Sequence, residues 1–249
     1  MKPMSPPRIA IPVPHSADAG YAERSLPQYE RAVEMAGGEP VRVPLDRGRD
    51  GTIKIIEACD AVLLPGSRAD VDPANYHASP HPKTAAADQA RNAVDELLLE
   101  QAYAERKPVL AICYGLQSLN VYRAGTLIQD IDDFLAPEKR GVNHEAGRNL
   151  RVAHDVQLAA DSRLARIVQV SPNDGALLPV NSSHHQSANA AGKDLRVVAR
   201  CPKDDIVEAL EGTESDHFVL AVQWHPERSM EDAASTAIFR ALVDAARDR

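Results

Sequence analysis

The first 113 residues alternate short apolar runs with segments of helical period, and this alternation restricts the fold more than any other feature. Arg8-Ile-Ala-Ile-Pro-Val13 suits a buried opening strand, with Pro12 limiting its pairing. Tyr29, Val33 and Ala36 then recur at helical spacing, and Gly37-Gly38 supplies the backbone freedom that ends a helix. Val41, Val43 and Leu45 alternate with polar residues as a second strand. Ile53 to Glu57 fits a short helix, and Ala61-Val-Leu-Leu64 reads as a third strand closed by Pro65-Gly66. A helix is expected from about Ala86 to Arg106, with Val94, Leu97, Leu98 and Ala102 on one face. Pro108 and a strand at Val109-Leu-Ala-Ile112 follow it.

The second half reads differently. Strand-like runs at Arg151 to Leu158, Leu195 to Arg200, Ile206 to Glu211 and Phe218 to Val222 suggest hairpins. A terminal helix carries Ala234, Ala237, Ile238, Ala241 and Leu242 on one face. The expectation is an α/β fold with a mostly parallel sheet covered by helices and an antiparallel extension. A chain of 249 residues, 44% of them hydrophobic, buries enough core for one large domain over 1–249. Between Asp70 and Pro82 the chain carries three prolines and few apolar residues, a long loop that is a candidate lid.

Composition excludes several partners. Carboxylates outnumber basic residues by 36 to 28, and no run of Lys and Arg alternates with aromatics, so nucleic acid is not expected. Met1 to Pro7 lacks the apolar core of a signal peptide, and no later segment has the length of a membrane span. A cytoplasmic location without a membrane partner is the expectation. Cys59, Cys113 and Cys201 are odd in number and widely spaced, which reads as free thiols.

Two segments carry chemistry. Cys113 falls at the end of one apolar strand and before a helical run, Tyr114-Gly-Leu-Gln117-Ser-Leu-Asn120. A strand-to-helix turn there presents the side chain at the top of the sheet, with Gly115 allowing close approach. The helix N-terminus is expected to lower the thiol pKa, and the Tyr114 N–H to face a developing oxyanion. Cys59 and Cys201 have no such neighbours and read as structural. In Val219-Leu-Ala-Val-Gln-Trp-His225-Pro-Glu227, an apolar strand delivers a histidine and, two residues on, a carboxylate. A cysteine hydrolase needs an imidazole to move the thiol proton and a partner to fix the imidazole tautomer.

These two segments resemble the class I glutamine amidotransferase superfamily, in which the cysteine turn reads Gly-Ile-Cys-x-Gly-x-Gln and the histidine strand ends in Gln-Trp-His-Pro-Glu. More narrowly, Asp70-Val-Asp-Pro-Ala-Asn-Tyr76, Ala124-Gly-Thr-Leu-Ile-Gln-Asp130 and Val180-Asn-Ser-Ser-His184-His-Gln186 resemble the γ-glutamyl hydrolase branch, which includes the bacterial γ-glutamyl-γ-aminobutyrate hydrolases. The resemblance implies a three-layer α/β/α fold and hydrolysis through a γ-glutamyl thioester, with no cofactor and no metal. It implies Cys113 as nucleophile, His225 as general base and acid, and Glu227 as orienter. The oxyanion donors would be the N–H of Tyr114 and that of Gly66 or Ser67. Gln117 and His184 match positions near the substrate, although a structural role for His184 is equally open. Adjacent histidines, if in a strand, point to opposite faces and do not make a metal site together. The chain departs from the family at Ala111 and Ser67, where Gly is usual, at Tyr114, where the polyamine-pathway hydrolases carry Arg, and in a loop one residue longer.

Three functions compete. The expectation is a hydrolase of small γ-glutamyl conjugates, with a small molecule as its partner and a homodimer as one open assembly. The second is a glutaminase subunit supplying ammonia to a synthase, which the long loop after Gly66 disfavours. The third is a catalytically silent binding protein on the same fold, disfavoured because no member of the triad is lost.

Overall fold

A computed structural model of the chain describes residues 5–170 and 176–249. The first half follows the expected alternation: β1 (Arg8–Pro12), α1 (Ala19–Met35), β2 (Glu39–Val43), α2 (Gly48–Glu57), β3 (Ala61–Leu64), α3 (Gln89–Glu105), β4 (Val109–Ile112) and α4 (Tyr114–Tyr122). Two short elements, β5 (Leu127–Ile128) and α5 (Ile131–Phe134), lead to β6 (His154–Leu158) and α6 (Arg163–Val168). Then come β7 (Leu177–Val180), β8 (Ser187–Ala188), β9 (Leu195–Arg200), β10 (Val207–Gly212), β11 (Val219–Val222) and α7 (Ala233–Arg247).

Among the described residues nine strands form one sheet in the order β2-β1-β3-β4-β11-β10-β9-β6-β7, and β5 pairs with β8 separately. From β2 to β11 every pairing is parallel, and from β11 to β7 every pairing is antiparallel. The parallel strands read as continuous apolar runs because both of their faces are covered. Side chains alternate between two cores. Ile9, Ile11, Leu63, Leu110, Ile112, Leu220 and Val222 pack with α1, α6 and α7 on one side. Ala10, Val62, Leu64, Val109, Ala111, Val219 and Ala221 pack with α2, α3 and α4 on the other. The result is the three-layer α/β/α arrangement. No helix among the described residues is long and apolar enough to cross a membrane.

Some boundaries differ from the sequence expectation, each for a physical reason. Helix α1 starts ten residues before Tyr29, where Asp18 caps it by accepting the Tyr21 N–H at 2.8 Å, and it runs through Pro27. A proline inside a helix reads as a break, but burial of Tyr21, Leu26 and Tyr29 holds the helix together. Strand β7 contains Pro179 and sits at the sheet edge, where a missing N–H is tolerated. The segment from Asp70 to Pro82 is fastened down, unlike a lid. Val71 and Tyr76 form a small core with Tyr114 and Leu127. Asp70 accepts from the Ala85 N–H at 2.7 Å, and the His81 N–H donates to Gln129 at 2.8 Å.

Candidate active site

Strands β3, β4 and β11 are parallel neighbours, so their carboxyl ends lie on one edge of the sheet. There they deliver Gly66, Cys113 and His225, the position at which open α/β sheets bind ligands. Cys113 has φ 54° and ψ −109°, a conformation a residue with a side chain occupies only under strain. Its N–H donates to Val222 O at 2.8 Å, which pins the turn to β11 before α4 begins. A Cβ at position 115 would fall on the carbonyl oxygen of Leu64, so only glycine allows α4 to descend onto the end of β3. Gly66 lies between the other two groups: a Cβ there would be 3.1 Å from the His225 Cε1 and 3.6 Å from the Cys113 Cβ.

His225 is held on two sides. Its Nδ1 lies 2.8 Å from Glu227 Oε1. Its main-chain N–H and C=O are both bonded by the Asn181 side-chain amide, at 3.0 and 2.9 Å. The bond to Glu227 places the second proton site, Nε2, on the far side of the ring. Both side chains are buried.

The electrostatics correct one expectation. Burial pushes the Cys113 thiol up to about 12, with the Glu227 charge adding to it; the Arg228 cation and the Tyr114 N–H oppose the rise without cancelling it. The helix N-terminus therefore does not make a resting thiolate. Burial also pushes His225 below the ordinary imidazole range, against the pull of Glu227. For Glu227, burial alone would raise the carboxyl, but His225 and Arg228 outweigh it and hold it low. The arrangement is a neutral thiol and a neutral imidazole, with a carboxylate ready to stabilise an imidazolium.

The other residues singled out in the sequence are divided between the edge and the interior. The Gly66 N–H donates to the Tyr29 hydroxyl at 3.0 Å, so of the two alternatives it is the Ser67 amide that has no acceptor among the described residues. Tyr114 points its ring into the core beneath the Arg91 guanidinium, 5.0 Å from the ring centroid. Gln117 is buried and donates to Gln186 O at 3.2 Å. His184 and His185 lie in an irregular segment, so the strand argument about them does not apply. They still diverge. His184 turns inward, its Nδ1 3.0 Å from Gln186 O and its Nε2 3.6 Å from Glu208. His185 instead meets Asp70 at 3.1 Å.

Several contributors escaped the sequence reading. Arg228 follows Glu227 directly and lies 3.5 Å from it, and Tyr29 reaches the site from α1. Arg91 and Asp95 form a fully buried ion pair whose guanidinium also donates to Pro14 O and Pro65 O, at 3.0 and 2.7 Å, bracing the ends of β1 and β3. Arg91 carries no motif of its own, and Asn181, although inside the 180–186 segment, is given no role by the resemblance; only the folded chain brings them to this edge.

Comparison with known proteins gives a family and several relatives. Residues 11–227 match the family described as Peptidase C26. The chain is 38% identical over 232 residues to a Mycobacterium tuberculosis protein named "putative glutamine amidotransferase", covering 92% of this chain and 68% of the relative. It is 30% identical over 251 residues to the γ-glutamyl-γ-aminobutyrate hydrolase PuuD of Escherichia coli, covering 97% and 94%. The crystal structure of a Thermoplasma acidophilum protein described as a "putative GMP synthase" component superposes with a TM-score of 0.65 at 12% identity, over 98% of this chain and 95% of that one. That likeness speaks for the fold.

Proposed function

The chain belongs to the peptidase C26 family, and from that premise we propose that it is a cysteine-dependent hydrolase of γ-glutamyl amide bonds in small conjugates. The observation that carries the reading is the buried His225–Glu227 pair at 2.8 Å, one strand away from a cysteine held on a strained turn. The similarity to the γ-glutamyl-γ-aminobutyrate hydrolase supports the substrate class.

In this mechanism Cys113 Sγ attacks the γ-carbonyl carbon while His225 Nε2 takes the thiol proton. Burial disfavours a free thiolate, so His225 takes the thiol proton as the S–C bond forms. The imidazolium that forms is stabilised by Glu227. The oxyanion is held by the N–H groups of Tyr114 and Ser67. Collapse breaks the C–N bond, with His225 returning its proton to the leaving amine and a thioester remaining on Cys113. His225 then takes a proton from water as it attacks. Collapse breaks the C–S bond, and glutamate leaves with the thiol restored.

The direction of the His225 shift gives a pH signature. A base held below the ordinary imidazole value of 6.5 stays unprotonated to lower pH. The acid limb of kcat/KM is therefore expected at a pH under 6.5, measured by glutamate release across a buffer series. A limb above that value would mean that burial does not govern the base.

The similarity to a protein named as an amidotransferase keeps the ammonia-donating glutaminase as the second reading. We read the long segment from Asp70 to Pro82 as the wall against which a leaving amine larger than ammonia would bind, which favours the hydrolase; Asp70 lies close enough to Cys113 for its charge to act on the thiol. If binding of that amine helps to orient the scissile bond, kcat/KM for some γ-glutamyl amide should exceed that for glutamine by about tenfold, roughly 1.4 kcal/mol. Glutamate release from glutamine and from γ-glutamyl conjugates of γ-aminobutyrate, putrescine and amino acids measures this. Glutamine as the best substrate, stimulated by a partner protein, would instead establish the ammonia donor. A cytoplasmic location belongs to the same proposal, supported by three unpaired buried thiols.

A further inference from the structure

Behind the proposed catalytic groups, four buried side chains from distant parts of the sequence turn toward one another. His144 comes from the segment before β6, His154 opens β6, His184 precedes β8 and Glu208 lies on β10. One ligand atom from each lies within 4.8 Å of all the others. From Glu208 Oε1 the distances are 3.2 Å to His144 Nδ1, 3.4 Å to His154 Nε2 and 3.6 Å to His184 Nε2. None of these contacts meets both the distance and the alignment of a hydrogen bond. The three ring nitrogens and both Glu208 oxygens have no hydrogen-bond partner among the described residues. Five orphaned polar atoms in one buried spot would be costly if nothing joined them.

We propose that His144, His154, His184 and Glu208 form a closed tetrahedral site for a zinc ion. Zinc binds imidazole nitrogen and carboxylate oxygen at about 2.0–2.2 Å, which gives ligand-to-ligand edges of about 3.3–3.6 Å in a tetrahedron. The three distances from Glu208 lie close to that range. The outer ring nitrogens fit as well, since metal-bound histidines donate their second N–H to a carboxylate or carbonyl. His144 Nε2 is 2.9 Å from Asp204 Oδ2, His184 Nδ1 is 3.0 Å from Gln186 O, and His154 Nδ1 is 3.2 Å from Asp155 O. Each ring is thereby fixed with its other nitrogen facing the cluster. Three neutral imidazoles, the Glu208 carboxylate and the Asp204 carboxylate balance a dication, leaving no net charge buried. A second grouping, His144 with Cys201 and Asp204, uses the opposite side of the His144 ring. Its Asp204 oxygens already bond His144 and the Ile206 N–H, so it lacks the orphaned atoms that mark the first.

With four protein ligands and no open position, the ion is structural. It staples the segments around 144 and 184 to β6 and β10. His184 shares Gln186 O with Gln117 on the nucleophile helix, and Asn181, three residues before His184, holds His225. The site departs from the sequence expectation of no metal, and it stands independently of the hydrolase reading.

The test uses the full chain without a histidine tag, produced in zinc-supplemented medium. Mass spectrometry of the metal content should find about one zinc per chain after dialysis. X-ray absorption at the zinc edge should show nitrogen and oxygen near 2.0 Å and no sulfur near 2.3 Å, a readout that needs no variant. Stripping with dipicolinate should lower the Tm by about 5–10 °C, reversed by one equivalent of zinc. Glu208→Gln and His154→Ala should each fall below about 0.1 zinc per chain, whereas Cys201→Ser and Cys113→Ser should keep about one. Wild-type protein that holds less than about 0.1 zinc and shows no Tm change on zinc addition would overturn the proposal, the cluster then being joined by a shared proton. A sulfur ligand in the absorption spectrum, or loss of zinc in Cys201→Ser alone, would overturn the four-ligand assignment.

Discussion

Cys113→Ala and Cys113→Ser are expected to lower the hydrolysis of every accepted γ-glutamyl substrate by about 10⁴-fold or more while leaving the folded structure intact. Alanine removes the attacking atom. Serine keeps the shape but offers a hydroxyl that holds its proton more tightly than the thiol, in a site where burial already pushes Cys113 up to about 12. Neither replacement adds bulk, and both tolerate the positive φ about as well as cysteine, so the circular dichroism spectrum and Tm should change little. Steady-state glutamate release, with mass spectrometry of the thioester trapped on the wild type, provides the measurement. Residual activity above about a tenth of wild type in both variants would remove Cys113 from the mechanism.

Arg91→Met is expected to have the largest effect on stability, a loss of about 3–5 kcal/mol. The Arg91 side chain is fully buried, and its guanidinium is the partner of Asp95 at 2.6 Å as well as of two main-chain carbonyls. Methionine fills much of the volume but leaves a buried carboxylate unpaired, and one Asp95 oxygen has no hydrogen-bond partner even in the wild type. Adding Asp95→Leu to Arg91→Met should recover part of the loss, because a missing pair costs less than a broken one. Urea denaturation of the single and double variants tests this, with m checked for constancy. A loss under about 1 kcal/mol for the single variant would show that water or the carboxyl proton already relieves Asp95.

The parallel half of the fold is legible because its strands are continuous apolar runs. The run Val109-Leu-Ala-Ile112 is bounded to the residue, since proline precedes it and the nucleophile turn ends it. The start of α1 is hidden by Pro27, and β7 by Pro179, because a proline's meaning depends on whether burial or an edge position accommodates it. At the site, Cys113, His225 and Glu227 stand in compact motifs that close on each other at the ends of β4 and β11. The thiol's high pKa is not legible, since it follows from burial by chain segments far away in sequence. The histidine cluster is hidden for the same reason: His144, His154, His184 and Glu208 have no close spacing, and only the register of the antiparallel strands gathers them.

The contact between Gly115 and Leu64 has a consequence for how such a protein can diversify. Leu64 limits how far α4 sinks toward the sheet, so any residue larger than glycine at 115 would lift the nucleophile turn whatever else lines the site. The segment from Asp70 to Pro82 is tied to that same helix, because Val71 and Tyr76 pack with Tyr114. Changes at Val71 or Tyr76 would therefore reach the nucleophile helix, whereas the exposed Asn75 and His77 lie outside that packing and can vary without disturbing it.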